Sequence, residues 1–137
     1  MMAEKKRIIN ISGKRKRAIA RATLREGKGK IRINGQLLDS FDNEMIKMRV
    51  MEPLIIAEDL GKKIDFDINV YGGGWQGQTE ASRLVIAKGL LEWSKDNNLK
   101  RKFLDYDRHL IIQDVRFKET RKPGDSKARA RRQKSYR

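Results

Sequence analysis

The sequence predicts an α+β fold in two layers, a β-sheet packed by helices, followed by an extended basic C-terminal tail. Ile64–Tyr71 alternates strictly between apolar and polar residues, which is the period of a half-buried strand. Apolar residues recur at spacings of three and four from Gln76 to Trp93, which predicts a helix of about five turns. Residues 115–137 hold 10 Lys or Arg and only 5 apolar residues, too few to build a core.

Three shorter helices are predicted from caps and helix breakers. Asp42 is the expected N-cap of a helix that extends to Val50. Proline is well tolerated only in a first turn, so Pro53 is expected to begin a second short helix that ends before Gly61. Asn98–Tyr106 is predicted to form the last helix.

The remaining strands are expected to be short. Arg7–Ile11 and Ala18–Arg25 are rich in β-favouring residues, and Ile31–Ile33 lies between a glycine-rich hairpin loop and the turn signal Asn34–Gly35. His109–Asp114 is predicted to be a closing strand. A chain of 137 residues with this pattern fits one domain of ordinary size.

Charge is segregated along the chain. The formal net charge is +15, with +10 in residues 1–32, −3 in residues 33–114 and +8 in residues 115–137. A body this cationic needs a polyanionic partner, and nucleic acid is the leading candidate. We therefore expect a globular domain with basic N-terminal strands over residues 1–114. Residues 115–137 are expected to be an RNA-binding tail, disordered in the free protein and ordered by phosphates.

Composition argues against several other classes of protein. The chain has no Cys and one His, which excludes disulfides and cysteine nucleophiles and leaves little for a metal site. The longest apolar runs have four residues, whereas a membrane span needs roughly 18. No signal-peptide core follows Met1. We expect a cytoplasmic protein with no metal, cofactor, membrane span or small-molecule substrate.

A basic cluster, Gly13–Arg17, lies between two β-biased segments and should therefore be held on a folded platform. One side of the following strand carries a row suited to phosphates, formed by Arg17, Ile19, Arg21, Thr23 and Arg25. Such a cluster can also be a solvated loop or a localisation signal. The second basic end of the chain favours RNA contact.

Gly72–Gly77 matches the G-x-G-x-x-G fingerprint of dinucleotide-binding enzymes, and it follows a strand and opens a helix. The fingerprint also needs a second parallel strand that ends in an acidic residue about 20 positions on. That distance falls on Trp93–Asn97, at the end of a helix. We favour a tight turn whose amides face an RNA phosphate. Trp75 is expected either to stack on a base or to pack within the protein.

No catalytic residue is predicted. His109 has no neighbouring nucleophile and is interpreted as a polar surface residue rather than a general base. Three aspartates lack the ligand spacing of a cation site and are expected to flank strands or to pair with Arg108 and Arg116; they are Asp105, Asp107 and Asp114.

Several motifs in a fixed order resemble the universal ninth protein of the small ribosomal subunit. They are Ser12–Lys16, Gly27–Ile31, Glu52–Leu54, Gly72–Gly74 and Ala128–Arg137. The resemblance covers nearly the whole chain, from about Ile8. The Ser-Tyr-Arg ending is similar to archaeal and eukaryotic members, whereas bacterial relatives end in Ser-Lys-Arg.

This resemblance implies a four-stranded sheet with a left-handed βαβ crossover, in a protein of the head of the small subunit. It also implies neighbouring head proteins as partners and a tail that threads through rRNA. The terminal residues Lys134, Tyr136 and Arg137 would reach the anticodon stem of the peptidyl-site tRNA. The expected rRNA contacts are Lys14, Arg15, Lys16, Arg17, Arg21, Gly72, Gly73, Gly74, Lys118, Arg121, Lys122, Lys127, Arg129, Arg131 and Arg132. The alternative is an architectural DNA-binding protein, because phosphate attraction does not separate DNA from RNA.

Overall fold

In the part of the chain that the structure describes, one mixed β-sheet and three α-helices form the fold, which confirms the α+β class. The structure is a computed structural model and describes residues 6–121, 123, 128 and 129. Its strands are β1 (Ile8–Arg15), β2 (Ala18–Glu26), β3 (Ile31–Ile33), β4 (Gln36–Leu37) and β5 (Ile64–Tyr71). Its α-helices are α1 (Glu44–Ala57), α2 (Trp75–Ser94) and α3 (Asn97–Tyr106). Short 3₁₀ turns cover Leu38–Ser40, Glu58–Lys63 and Arg108–Leu110.

The sheet has the strand order β1-β2-β5-β3-β4. Neighbouring strands are antiparallel except β3 and β5, which are parallel and are joined through α1 as a βαβ unit. The resemblance implied four strands, and the fifth is the two-residue β4, which follows the Asn34–Gly35 turn. Both turn residues have positive φ, 53° and 81°, as a tight hairpin turn requires. The left-handed sense of the crossover stays a prediction.

The two faces of the sheet differ in burial. Apolar side chains of β2, β3 and β5 point to the core, where α2 packs across β1, β2 and β5 and α1 packs along α2. These core residues are Ala18, Ala20, Ala22, Leu24, Ile31, Ile33, Ile64, Phe66, Ile68 and Val70. The opposite face carries exposed polar and charged side chains, including Arg21, Arg25 and Asp67. The strict alternation of β5 is therefore confirmed over the predicted residues.

The predicted break between two short helices at Pro53 is wrong. α1 is continuous, and Pro53 is buried inside it. An interior proline removes one backbone hydrogen bond and costs about 3 kcal/mol, which is offset here because the apolar face of the whole helix packs on the core through Val50 and Leu54. The N-cap is Asn43 rather than Asp42, and its side-chain oxygen accepts a hydrogen bond from the Met45 amide at 3.0 Å.

The predicted closing strand at His109–Asp114 is also wrong. Asp107 ends α3, and its carboxylate accepts a hydrogen bond from the His109 amide at 2.9 Å. This cap turns the chain into the 3₁₀ turn, which buries Leu110 completely. Residues 113–121 have no regular secondary structure. Within the described ranges, no helix is long and apolar enough to cross a bilayer.

Candidate nucleic-acid interface

The basic cluster is the tip of a β-hairpin. Lys14 and Arg15 end β1, Lys16 and Arg17 form the turn, and Ala18 begins β2 directly opposite Arg15. Lys16 has a positive φ of 54°, which the two-residue turn requires. The side chains of Lys14, Lys16 and Arg17 are exposed. A paired hairpin therefore holds these three cations in fixed positions at one edge of the molecule.

The glycine loop packs directly on this turn. Gly72 has a φ of 79°, and a Cβ on it would lie 2.5 Å from the carbonyl oxygen of Arg17. A Cβ on Gly73 would lie 3.2 Å from the amide nitrogen of Ala18. Gly74 lies in open space and is the N-cap of α2, with no side chain to cap the helix. The glycines thus bring the open N-terminus of α2 beside the basic turn.

The hairpin tip, the glycine loop and the segment after α3 enclose an open groove of about 530 Å³. We call this the basic groove, and its cationic walls are Arg15, Lys16, Arg17, Lys118 and Arg121. Glu119 is the one acidic residue in that wall. The ring of Phe117 also lines the groove, and Lys14 Nζ lies 5.7 Å from its centroid.

Arg15 differs from the other cations of the cluster because its side chain is largely buried. Its Nε lies 2.7 Å from Glu80 of α2, and its Nη1 lies 3.1 Å from Asp114. Asp114 has an exposed side-chain fraction of 8 % and also accepts hydrogen bonds from the amide and the side chain of Arg116. Arg15 therefore joins β1, α2 and the start of the tail by ion pairs. Its predicted contact with rRNA stays a prediction.

A second buried cation anchors the same segment. Arg83 of α2 forms ion pairs with Glu52 of α1 and with Asp107, the latter at 3.1 Å. Arg108 and Arg116 were the predicted partners of the aspartates in this region. Asp114 does pair with Arg116, whereas Asp107 pairs with Arg83 instead of Arg108. The chain after α3 is thus held at two aspartates, seven residues apart, before it lines the basic groove.

These contacts lower the pKa of both aspartates. For Asp114, the Arg116 side chain is the main cause, followed by the Arg116 amide, and the charge of Arg15 contributes. Burial acts to raise the pKa of Asp107, but hydrogen bonds from the His109 amide and from Arg83 lower it overall. Both carboxylates are therefore charged at neutral pH, as their role in ion pairs requires.

The predicted row on β2 faces outward and carries cations at both ends, but only its Arg25 end lies opposite an acid of β5. Arg21 lies between Ser12 and Asn69 in the sheet register and is exposed. Arg25, farther along the strand, lies opposite Asp65 of β5. The end of the open sheet face around Arg21, which is nearest the basic groove, therefore has no acid of β5 directly opposite it.

Several predicted contact residues lie outside the described residues: Lys122, Lys127, Arg131, Arg132, Lys134, Tyr136 and Arg137. Arg129 is described, is exposed and forms an ion pair with Glu119 at 2.7 Å. Lys118 and Arg121 are exposed and lie in the groove wall. The tail cations nearest the body are therefore brought together with the hairpin tip.

The geometry does not support a dinucleotide site at Gly72–Gly77. After α2, the described part of the chain continues through α3 and a 3₁₀ turn without another strand. The parallel strand that would hold a ribose is therefore missing from that part. His109 is exposed, as predicted. Trp75 is half-exposed at the first position of α2, so it is available for stacking but also packs partly within the protein, the two roles between which the sequence did not decide.

Comparison with known proteins gives the class of the chain first: it is a ribosomal protein of the small subunit. Relatives named "Small ribosomal subunit protein uS9" include that of Methanothrix thermoacetophila, 47% identical over 96% of this chain and 99% of the relative. The relative from Thermoplasma volcanium is 48% identical over 92% of this chain and 96% of its own length. The relative from Picrophilus torridus is 46% identical over 91% of this chain and 94% of its own length.

The chain belongs to the family described as ribosomal protein S9/S16, whose model matches residues 13–137. This confirms the resemblance and the archaeal character of the sequence. The protein is accordingly a structural, non-enzymatic component of the small subunit of the cytoplasmic ribosome, with rRNA and ribosomal proteins as its partners. The prediction that it is not an enzyme is confirmed.

We expect Asp114 to titrate well below its usual value of 3.8. The pKa is lower in the folded state than in the unfolded state. The carboxylate therefore stabilises the fold fully above about pH 4, and this stabilisation is lost as the pH falls toward the folded-state pKa. Carboxyl-carbon NMR shifts followed against pH measure the midpoint, and Arg116→Gln should move it upward. A wild-type midpoint near 3.8, or one that Arg116→Gln leaves unchanged, would contradict the geometry.

Proposed function

We propose that this protein binds small-subunit rRNA through the basic groove and the hairpin tip, and that its C-terminal residues contact the peptidyl-site tRNA. The observation that carries the rRNA contact is the meeting of cations from both basic ends of the chain at one groove. Lys16 and Arg17 come from the N-terminal third, and Lys118 and Arg121 come from the tail. No ion pair within the described residues engages these four.

Counterion release gives the energetic basis of this contact. Each phosphate neutralised by Lys or Arg releases bound cations, and the logarithm of the binding constant falls by about 0.7 to 0.9 per contact for each tenfold rise in salt. Four cations at the groove thus give a slope of about −3. The glycine loop adds the amides at the start of α2, which attract an anion through the helix dipole.

Fold and family favour RNA over DNA. A protein that reads duplex DNA usually lays a helix with free basic side chains into the major groove. Here five cations line a groove between a hairpin and a tail segment, and Arg83 on α2 is occupied by two carboxylates. Membership in a ribosomal family supplies rRNA as the partner.

The tRNA contact is supported by the reach and chemistry of the tail. Arg121 lies at the groove, and 16 residues follow it, which span at most about 53 to 58 Å when extended. Such a length is enough to leave the body and reach a second RNA. Arg137 suits a phosphate because its planar guanidinium donates two parallel hydrogen bonds and stays charged. Lys134 and Tyr136 would lie close beside it.

Replacing Lys16 and Arg17 together by Gln should weaken binding to a small-subunit rRNA fragment and lower the magnitude of the salt slope by about 1.4 to 1.8. Filter binding across a salt series measures both quantities. The matched control is the double replacement of Lys62 and Lys63 by Gln, which removes the same charge at the opposite end of β5. Equal losses in the two variants would show general charge attraction and no site at the hairpin.

Deletion of Lys134–Arg137 should leave assembly into the subunit intact and weaken retention of tRNA in the peptidyl site. The reason is that Lys134–Arg137 are mostly charged or polar and offer little to a hydrophobic core, while the proposed phosphate partner of the tRNA is lost. Dissociation of the tRNA from reconstituted subunits gives the measurement. If truncated subunits hold the tRNA as firmly as normal subunits, the tRNA contact is wrong.

A further inference from the structure

An exposed aromatic ring lies among the cations of the basic groove. The Phe117 side chain is 58% exposed although Phe is normally a core residue, and the buried rings Phe66 and Phe103 show where this chain puts its structural aromatics. Lys14 faces the ring of Phe117, with Nζ 5.7 Å from the centroid. Ion pairs explain the position of the neighbouring Asp114 and Arg116, but among the described residues no contact with the core cluster explains Phe117.

Phosphate binding alone does not account for such a ring. A regular RNA duplex offers its phosphates to cations, while the faces of its bases are stacked on one another and cannot accept an aromatic ring. Unpaired nucleotides offer a phosphate and a free base face together. Stacking of one base on an aromatic side chain is worth about 1 to 3 kcal/mol. A ring between phosphate-binding cations therefore favours unpaired RNA over duplex RNA.

Two further aromatic residues flank the glycine loop that forms the groove wall. Tyr71 immediately precedes Gly72, Trp75 immediately follows Gly74, and both rings are about half exposed. Tyr71 lies on the open sheet face opposite Ile19 of β2, next to the acid-free end of that face. Exposed aromatic side chains thus accompany the cations at this edge of the molecule, which is the composition of surfaces that bind unpaired nucleotides.

We propose that the basic groove takes an unpaired segment of RNA, with one base stacked on Phe117 and the flanking phosphates on the groove cations. This inference rests on the proposed function, because it names the kind of rRNA that the groove binds. Lys14 lies against the ring of Phe117, and the base covers the exposed surface of that ring. Lys16 and Arg17 bind phosphates on the hairpin side, and Lys118 and Arg121 bind them on the tail side.

The test uses the full chain, three RNA probes of equal strand length and one salt concentration. The probes are a single strand, the same strand in a duplex, and an abasic strand that keeps the backbone but has no bases. Phe117→Leu keeps an apolar side chain and removes the aromatic face. We expect it to weaken binding of the single strand about 5- to 150-fold and to change binding of the abasic strand less than twofold.

The control for this substitution is Tyr106→Leu. Tyr106 is also 58% exposed, but it lies at the end of α3 and does not line the basic groove. Its replacement should leave the affinity for every probe unchanged. Phe117→Trp retains the stacking face and should keep wild-type affinity. Its fluorescence should show quenching by the single strand beyond that of the wild-type protein, which already has Trp75 and Trp93, and no such additional quenching by the abasic strand.

Each outcome separates stacking from phosphate binding. Double replacement of Lys16 and Arg17 by Gln should weaken the single strand and the abasic strand alike. If it does so while Phe117→Leu changes neither, the groove binds RNA without stacking and the inference is overturned. If wild-type protein binds the duplex as tightly as the single strand, the preference for unpaired RNA is also wrong. If the charge replacements have no effect on any probe, the proposed rRNA contact itself fails.

Discussion

The ion pairs of Arg15 with Glu80 and Asp114 are the interaction on which the functional edge depends. A strand end, the long helix and the root of the tail meet at this one guanidinium, which has an exposed side-chain fraction of 17 %. A chain with a net charge of +15 repels its own basic segments, so the tail needs carboxylates to stay beside the hairpin. Breaking a largely buried pair leaves an uncompensated charge, which makes the arrangement sensitive to loss of either partner.

Much of the fold could be predicted because one face of each main element is buried. The alternation of β5 and the periodicity of α2 follow directly from that burial, and both were predicted within a residue or two. The predicted helix break at Pro53 is wrong because packing of α1 on the core outweighs the cost of an interior proline. The predicted strand at His109–Asp114 is wrong because the Asp107 cap turns the chain into a 3₁₀ turn. The inward direction of Arg15 was missed because β1 was expected to end at Ile11. Continuing its alternation through Gly13 would have put Arg15 on the buried side.

The glycine loop, the hairpin tip and the root of the tail pack together at this edge of the molecule. Gly72 and Gly73 allow the strand-to-helix loop to touch the backbone of the hairpin turn, which places the start of α2 beside exposed cations. The aspartates after α3 then bring Phe117 and the first tail cations to the same groove. The basic ends of the sequence, more than 90 residues apart, thereby form a single surface. Asp114 lies behind this surface as a structural carboxylate paired with Arg15, although the surface attracts phosphate.

The affinity of the Asp114→Asn protein for single-stranded RNA is the most direct test of whether the Arg15–Asp114 ion pair holds the groove together. Removing an acid from a phosphate-binding surface should strengthen binding if only net charge matters. We predict the opposite sign, because the tail root loses its attachment to Arg15 and the groove loses one wall. Glu119→Gln, at the exposed rim of the groove, is the control and should strengthen binding. An Asp114→Asn protein that binds RNA more tightly than the wild type, as the control does, would contradict the account.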